Sequence, residues 1–104
     1  MTKVAYERYY DTHIFECVGH TEYSEGPDII CSAVSALCFA LKEYLMQKAS
    51  EGIVNNFNCN MAKGYTFISF TAEDGSPVLE GLEAVLCGFR LMGGAFPNYI
   101  SVDA

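Results

Sequence analysis

Residues 18–37 read VGHTEYSEGPDIICSAVSAL, and the hydrophobic period changes inside them. Just upstream, HIFECV (13–18) is rich in aromatic and β-branched residues, the composition of a strand. From Asp28 onward, Ile30, Val34, Leu37, Cys38, Leu41 and Leu45 recur at three- and four-residue spacing, which predicts a helix over 29–48 with Asp28 as its N-cap. Between the two lies a polar, acidic segment marked by Gly26-Pro27. A strand that ends in Gly19-His20 and a helix that opens at Asp28 bring a histidine and a cysteine, His20 and Cys31, to the two rims of one loop.

Working outward, VAYERYY (4–10) is a second strand-like run, separated from 13–18 by Asp11-Thr12, and the two predict a hairpin. Gly52 closes the helical segment. IVNNFNC (53–59) and GYTFISFTA (64–72) then form a second candidate hairpin across Lys63-Gly64. Ser76 as N-cap and Pro77 at the first helical position open another helix, which runs to about Met92 with Val78, Leu82, Val85, Leu86 and Phe89 inward. Gly93-Gly94 is expected to end it, and PNYISV (97–102) supplies a last strand. The order ββαββαβ, with strands joined largely as hairpins, predicts an α+β fold: a single layered domain over 1–104, two helices packed on a mostly antiparallel sheet.

Composition narrows the function. With 51% hydrophobic residues in 104, the chain can bury a core. It shows no signal-peptide pattern, and its longest charge-free apolar run, 29–41, is too short to span a bilayer, so a cytoplasmic protein with no membrane partner is expected. Five cysteines, an odd number scattered through apolar runs, are not a disulfide framework and read as reduced thiols. The net charge is −7, with no Lys/Arg cluster to neutralise a phosphate backbone, so nucleic acid is not an expected partner. Six of the 13 acids (Glu7, Asp11, Glu16, Glu22, Glu25, Asp28) fall in the first 28 residues, against Lys3 and Arg8. Such a field suits a basic peptide or protein; alternatively, the charge only maintains solubility.

Three chemistries compete for the 18–37 stretch. With Asp28 as N-cap, Cys31 is the third helical residue, in the turn where free N–H groups and the dipole stabilise an anion. A thiolate there, beside His20 at the end of the preceding strand, makes a Cys–His dyad. The N–H groups of Ile30, Cys31 and Ser32 are then the natural oxyanion donors. Asp28 either caps the helix or orients His20, and capping is the simpler role. Ser35, one turn beyond Cys31, touches the site or only permits close packing. The polar loop, with Thr21, Tyr23 and Gly26 as a pivot, can close over substrate. In a zinc reading, Cys17, His20, Cys31 and Cys59 are ligands, but Cys17 and His20 have opposite parity on a strand and no second close ligand pair exists. In a purely structural reading Cys31 is a core residue. Cys38, Cys59 and Cys87 are most simply core, and His13, beside the hairpin turn, exposed. No cofactor and no metal are expected.

The residues Gly19, His20, Thr21, Tyr23, Gly26, Asp28, Ile29, Ile30, Cys31, Ala33, Val34, Ser35, Ala36 and Leu37, with the later Phe96-Pro97-Asn98-Tyr99-Ile100, resemble the motifs of the ribosomal-processing cysteine protease (Prp) family. The pattern is G-H-[AT]-x-Y, a short loop, then G-x-D-I-[IV]-C-[AS]-A-V-S-A-L. The resemblance implies a small homodimeric cysteine endopeptidase that removes an N-terminal extension from large-subunit ribosomal protein number twenty-seven, a basic precursor. It implies His20 as base and Cys31 as nucleophile, Asp28, Ser35 and Gly19 in support, and a mobile lid carrying Thr21, Tyr23 and Gly26. It also implies cleavage beside an aromatic residue. The chain departs from the pattern in a loop one residue shorter and in Thr21, where alanine is usual. The alternative reading is a non-catalytic acidic binding module or assembly factor for a basic ribosomal protein tail.

Overall fold

The computed structural model describes residues 1–21 and 28–104, so the expectations for Tyr23, Gly26 and the body of the lid lie outside the described residues. The elements are β1 (Thr2–Tyr9), β2 (Thr12–Val18), α1 (Ile29–Ser50), β3 (Asn55–Ala62), β4 (Tyr65–Thr71), α2 (Val78–Ala95) and β5 (Ile100–Asp103), the predicted ββαββαβ order. The five strands form one sheet in the order β3-β4-β2-β1-β5. Pairing is antiparallel except between β1 and β5, which run parallel, Thr2 facing Ile100 and Val4 facing Val102.

Alternation along the strands decides what is covered. On β2, His13, Phe15 and Cys17 are buried while their neighbours are not, and Thr66, Ile68 and Phe70 do the same on β4. Phe15, Cys17, Ile68 and Phe70, with Val4 and Ile100, meet Ile30, Val34, Cys38, Leu41 and Leu45 of α1 and Val78, Leu82, Leu86 and Phe89 of α2 in one hydrophobic cluster. The Phe15 and Phe89 rings lie 5.4 Å apart at its centre. The helices approach closely because α2 carries Gly81 and Gly88 where Tyr44 and Leu37 of α1 press against it. By length and composition α1 is apolar enough to cross a membrane, unlike the shorter run read from the sequence. Its buried stripe, however, lies on the sheet, and Lys42, Glu43 and Lys48 interrupt its second half.

Several boundaries differ from expectation for local reasons. The first turn is Tyr10-Asp11, one residue earlier than predicted, with Tyr10 at φ +55°. Helix α1 continues to Ser50. In α2, Pro77 rather than Ser76 holds the N-cap position, and the Ser76 carbonyl accepts the Leu79 N–H. Gly93-Gly94 does not stop α2, which runs to Ala95; Gly93 instead leaves room for Val102, whose Cγ2 would lie 2.9 Å from an added Cβ. Residues 97–99 then turn, with the Tyr99 and Ile100 N–H groups bonded to the Phe96 carbonyl, so the last strand begins only at Ile100. Cys87 is exposed and Cys59 half-buried rather than core, Cys87 because it shares the outer side of α2 with Glu83 and Arg90.

His13 is the larger correction. The earlier turn puts it inside β2 on the helix-facing side, where it is 1% exposed, stacked at 4.9 Å on Phe70. Its Nδ1 shares a 2.6 Å hydrogen bond with the Tyr6 hydroxyl, and Nε2 has no partner. Burial pushes the imidazole below its ordinary value; the Arg8 guanidinium adds to this and Asp11 opposes it. The neutral form is therefore the native one. As pH falls through about 6.5, the unfolded chain takes up a proton that the folded chain refuses, so stability declines from there down to the depressed folded value. Urea unfolding between about pH 7 and pH 5 should show this loss, with a slope of at most about 1.4 kcal/mol per pH unit from this group, and His13→Phe should flatten it.

Candidate active site

Helix α1 begins where the sequence placed its start. Asp28, in extended backbone at φ −94°, ψ 100°, is the N-cap, and its Oδ1 accepts the Cys31 N–H at 2.9 Å. The Ser32 N–H bonds to the Asp28 carbonyl at 3.0 Å. Two of the three N–H groups expected to bind an oxyanion, those of Cys31 and Ser32, are therefore already engaged by Asp28. The other carboxylate oxygen, Oδ2, accepts a hydrogen bond from the hydroxyl of Thr21, which is 2% exposed. Thr21, expected on the lid, is thus a buried anchor for the cap.

The strand side of the site depends on two glycines. Gly19 follows β2 at φ +104°, and an added Cβ would lie 2.4 Å from the Met1 carbonyl oxygen. Glycine tolerates that backbone and that contact; an L side chain does not. The Gly19 N–H donates to the Gly64 carbonyl at 2.8 Å, tying the end of β2 to the β3–β4 turn. Gly64, at φ +72°, in turn seats the imidazole of His20: an added Cβ would lie 2.6 Å from Nε2 and 2.9 Å from Cε1. The sequence showed Lys63-Gly64 only as a turn, because no local signal reveals which side chain a distant turn will support.

His20 and Cys31 line the same cavity, of about 410 Å³, together with Gly19 and Ser35. Val34, Phe39, Met61 and Tyr65 give it apolar walls, and Lys63 brings a cation. His20 is exposed and Cys31 half-buried. Deeper in the cavity wall, Cys17 and Cys38 are buried against each other. The hydrogen bond to Cys38, reinforced by burial, pushes the Cys17 thiol far up, so it stays protonated at neutral pH. Among the described residues no group of three or more His, Cys, Asp or Glu side chains is arranged to hold a metal ion, and the zinc reading finds no support there. What the arrangement offers is a thiol at a helix N-terminus and an imidazole reached from a different strand, both open to one apolar-walled recess. That is the equipment of nucleophilic acyl transfer.

The Gly64 seat has a direct test. In Gly64→Ala the methyl group is strained at positive φ, at a cost of about 1–2 kcal/mol, and displaces the imidazole. Alkylation of Cys31 by iodoacetamide at neutral pH should slow, followed by mass spectrometry of the labelled peptide. An unchanged rate would mean that His20 does not act on Cys31 from this position.

The cysteine protease Prp family model matches residues 1–101. No curated protein matches the chain. Among solved structures it is similar to an essential ribosomal processing protease Prp from S. aureus, in complex with a covalently linked product peptide. The TM-score is 0.81 at 18% identity, covering 99% of this chain and 98% of that one. It is also similar to SMU.848 from Streptococcus mutans, with a TM-score of 0.70 at 20% identity over 99% of this chain and 92% of that one. The two helices on a mixed five-stranded sheet are the architecture of these neighbours. From the family model, which spans nearly the whole chain, it follows that this protein belongs to the cysteine protease Prp family.

Proposed function

We propose that this enzyme removes the N-terminal extension of the precursor of large-subunit ribosomal protein number twenty-seven, with Cys31 as nucleophile and His20 as base. The observation that carries the reading is the convergence of His20, from the end of β2, and Cys31, from the first turn of α1, on one cavity. The covalently linked product peptide in the S. aureus relative supports a peptide substrate. In the first step His20 takes the Cys31 proton and the sulfur attacks the scissile carbonyl carbon. As the peptide C–N bond breaks, His20 returns the proton to the departing amine, leaving an acyl-enzyme. Water, deprotonated by His20, then attacks the thioester and releases the carboxylate and the thiol.

Asp28 supports this chemistry by holding the first turn of α1, Ser35 and Gly19 by shaping the cavity wall. No cofactor enters any step. The apolar recess between Phe39, Met61 and Tyr65 suits an aromatic substrate side chain. The same reading makes the protein a cytoplasmic homodimer. Ile29 and Met46, exposed along α1, are apolar surface of the kind such a contact buries.

Incubating the full-length ribosomal protein precursor with the enzyme and sequencing its new N-terminus tests the proposal. Cleavage should be lost in Cys31→Ser and His20→Ala while both variants remain folded, because a serine hydroxyl without strong base activation is a far weaker nucleophile. Precursor bound but left intact by the wild type would favour the non-catalytic binding module instead. Exposed Cys87 supplies an internal control for the dyad. At pH 7, Cys31 should be alkylated faster than the more accessible Cys87, and His20→Ala should erase the difference.

Charge gives an independent test. If the acidic N-terminal third steers a basic precursor, kcat/KM should fall as salt rises to physiological strength, where the screening length is about 8 Å, with kcat little changed. A kcat/KM indifferent to salt would assign the net charge of −7 to solubility alone.

A further inference from the structure

Strand β3 forms one edge of the sheet, and its last residues, Met61 and Ala62, line the cavity that holds His20 and Cys31. Two hydrogen bonds fix which of its main-chain groups are used inside the sheet. The Gly19 N–H donates to the Gly64 carbonyl at 2.8 Å and the Ala72 N–H to the Asp11 carbonyl at 3.0 Å, and both continue the β2–β4 register, in which Val18 faces Tyr65 and Thr12 faces Thr71. In an antiparallel ladder, hydrogen-bonded and non-hydrogen-bonded pairs alternate. Thr66, Ile68 and Phe70 of β4 therefore turn their main chain to β2, while Tyr65, Phe67 and Ser69 turn theirs to β3, where they face Ala62, Asn60 and Asn58. The N–H and C=O groups of Cys59 and Met61 are left pointing out of the sheet. Among the described residues no strand pairs with that side of β3. We propose that the main chain of the substrate, extended, adds to this edge as a further strand and is thereby led into the cavity. The inference rests on the protease reading.

An exposed sheet edge is ordinarily blunted by charge, proline, a bulge or brevity. Strand β3 carries no charged residue and no proline over NNFNCNMA. Its one irregularity, between Asn55 and Asn58 with Asn56 at φ +52°, disturbs the end remote from the cavity and leaves 58–62 regular. The opposite edge, β5, is only four residues long. Continuity with the cavity selects the occupant. A strand laid on β3 reaches, at Ala62, the β3–β4 turn whose Gly64 seats His20, so a chain leaving the edge arrives at the imidazole. Directly opposed residues of paired strands put their side chains on the same face. The substrate residue bonded to Met61 thus faces the helices, in the recess walled by Phe39 and Met61, and its neighbours face the other way. Main-chain bonds hold the peptide whatever its sequence, and selectivity is confined to alternate side chains.

Amide-to-ester replacement deletes one N–H of a peptide without adding bulk. Peptides spanning the precursor's processing site, each with a single ester away from the scissile bond, would be compared in steady-state hydrolysis by the wild type. KM should rise about threefold to tenfold for esters that remove an N–H facing β3 and stay near that of the parent at the positions between them, a period of two. In parallel, amide hydrogen exchange of the Cys31→Ser protein would be read residue by residue by NMR, with and without the all-amide peptide. Cys59 and Met61 should become protected on binding, while Asn58 and Asn60, whose N–H groups already face β4, should change little. Esters tolerated alike at every position overturn the proposal, as does a bound peptide that leaves Cys59 and Met61 exchanging as before. Protection of these two amides in the peptide-free protein, lost on dilution, overturns it as well, since a second copy of this chain would then occupy the edge. A peptide that protects them but is not cleaved by the wild type removes the protease reading alone; one neither cleaved nor bound removes both.

Discussion

The carboxylate of Asp28 is bonded to the third helical N–H of α1 on one side and to the end of β2 on the other. That contact sets where α1 begins, and with it the rotation of a 22-residue helix against the sheet. Each residue advances an α-helix by about 100°, so a start displaced by one position would carry Ile30, Val34, Cys38, Leu41 and Leu45 off the core and turn Cys31 away from the cavity. The apolar stripe favours the same rotation from the other direction. Cap and stripe agree, and the place of Cys31 is a by-product of their agreement: its N–H is bonded by the cap side chain and its neighbour Ile30 lies on the buried face.

On the strand side the constraint is different. The period of two that buries His13, Phe15 and Cys17 has to be broken just after Val18 if His20 is to leave the sheet and reach α1. Gly19 breaks it, at a φ and in a space closed to other residues. The imbalance this creates is taken up by the β3–β4 turn, whose Gly64 accepts the Gly19 N–H and carries the imidazole ring. His20 is thus supported from one hairpin and Cys31 from the start of a helix.

Reading residues 18–37 alone recovered the strand, the cap and the helix, and named two residues that the fold brings to one cavity, because each element rests on a local physical signal: alternation, a capping side chain, a three-to-four spacing. Gly64 and Lys63 escaped that reading, since their place beside His20 depends on β4 pairing with β2, which no residue near either announces. The role of Thr21 escaped for a related reason. A threonine hydroxyl has many partners within reach, and only the folded approach of residue 21 to residue 28 selects one. Two of the three N–H groups named as oxyanion donors are taken up by Asp28, because a cap and an anion compete for the same groups. His13 was placed in solvent because it lies beside a turn, although it shares the parity of Phe15 and Cys17 and so faces the core with them.

Strand β1 lies between β2, its immediate successor, and β5, the last strand, and the Thr2 N–H is bonded to the Tyr99 carbonyl. Met1 is also the residue against which Gly19 closes. The backbone that aims His20 therefore leans on a strand whose outer partner is made some 80 residues later, a separation read from Gly19 and Tyr99. Closing so long a loop is slow compared with forming a hairpin, and on the ribosome it must await synthesis of residues 100–103. A nascent chain can hold its first hairpin and α1 well before that point, yet its histidine lacks the finished support. The finished support for His20 should consequently arrive only once β5 has been made and has paired with β1, later than the hairpin from which the histidine projects.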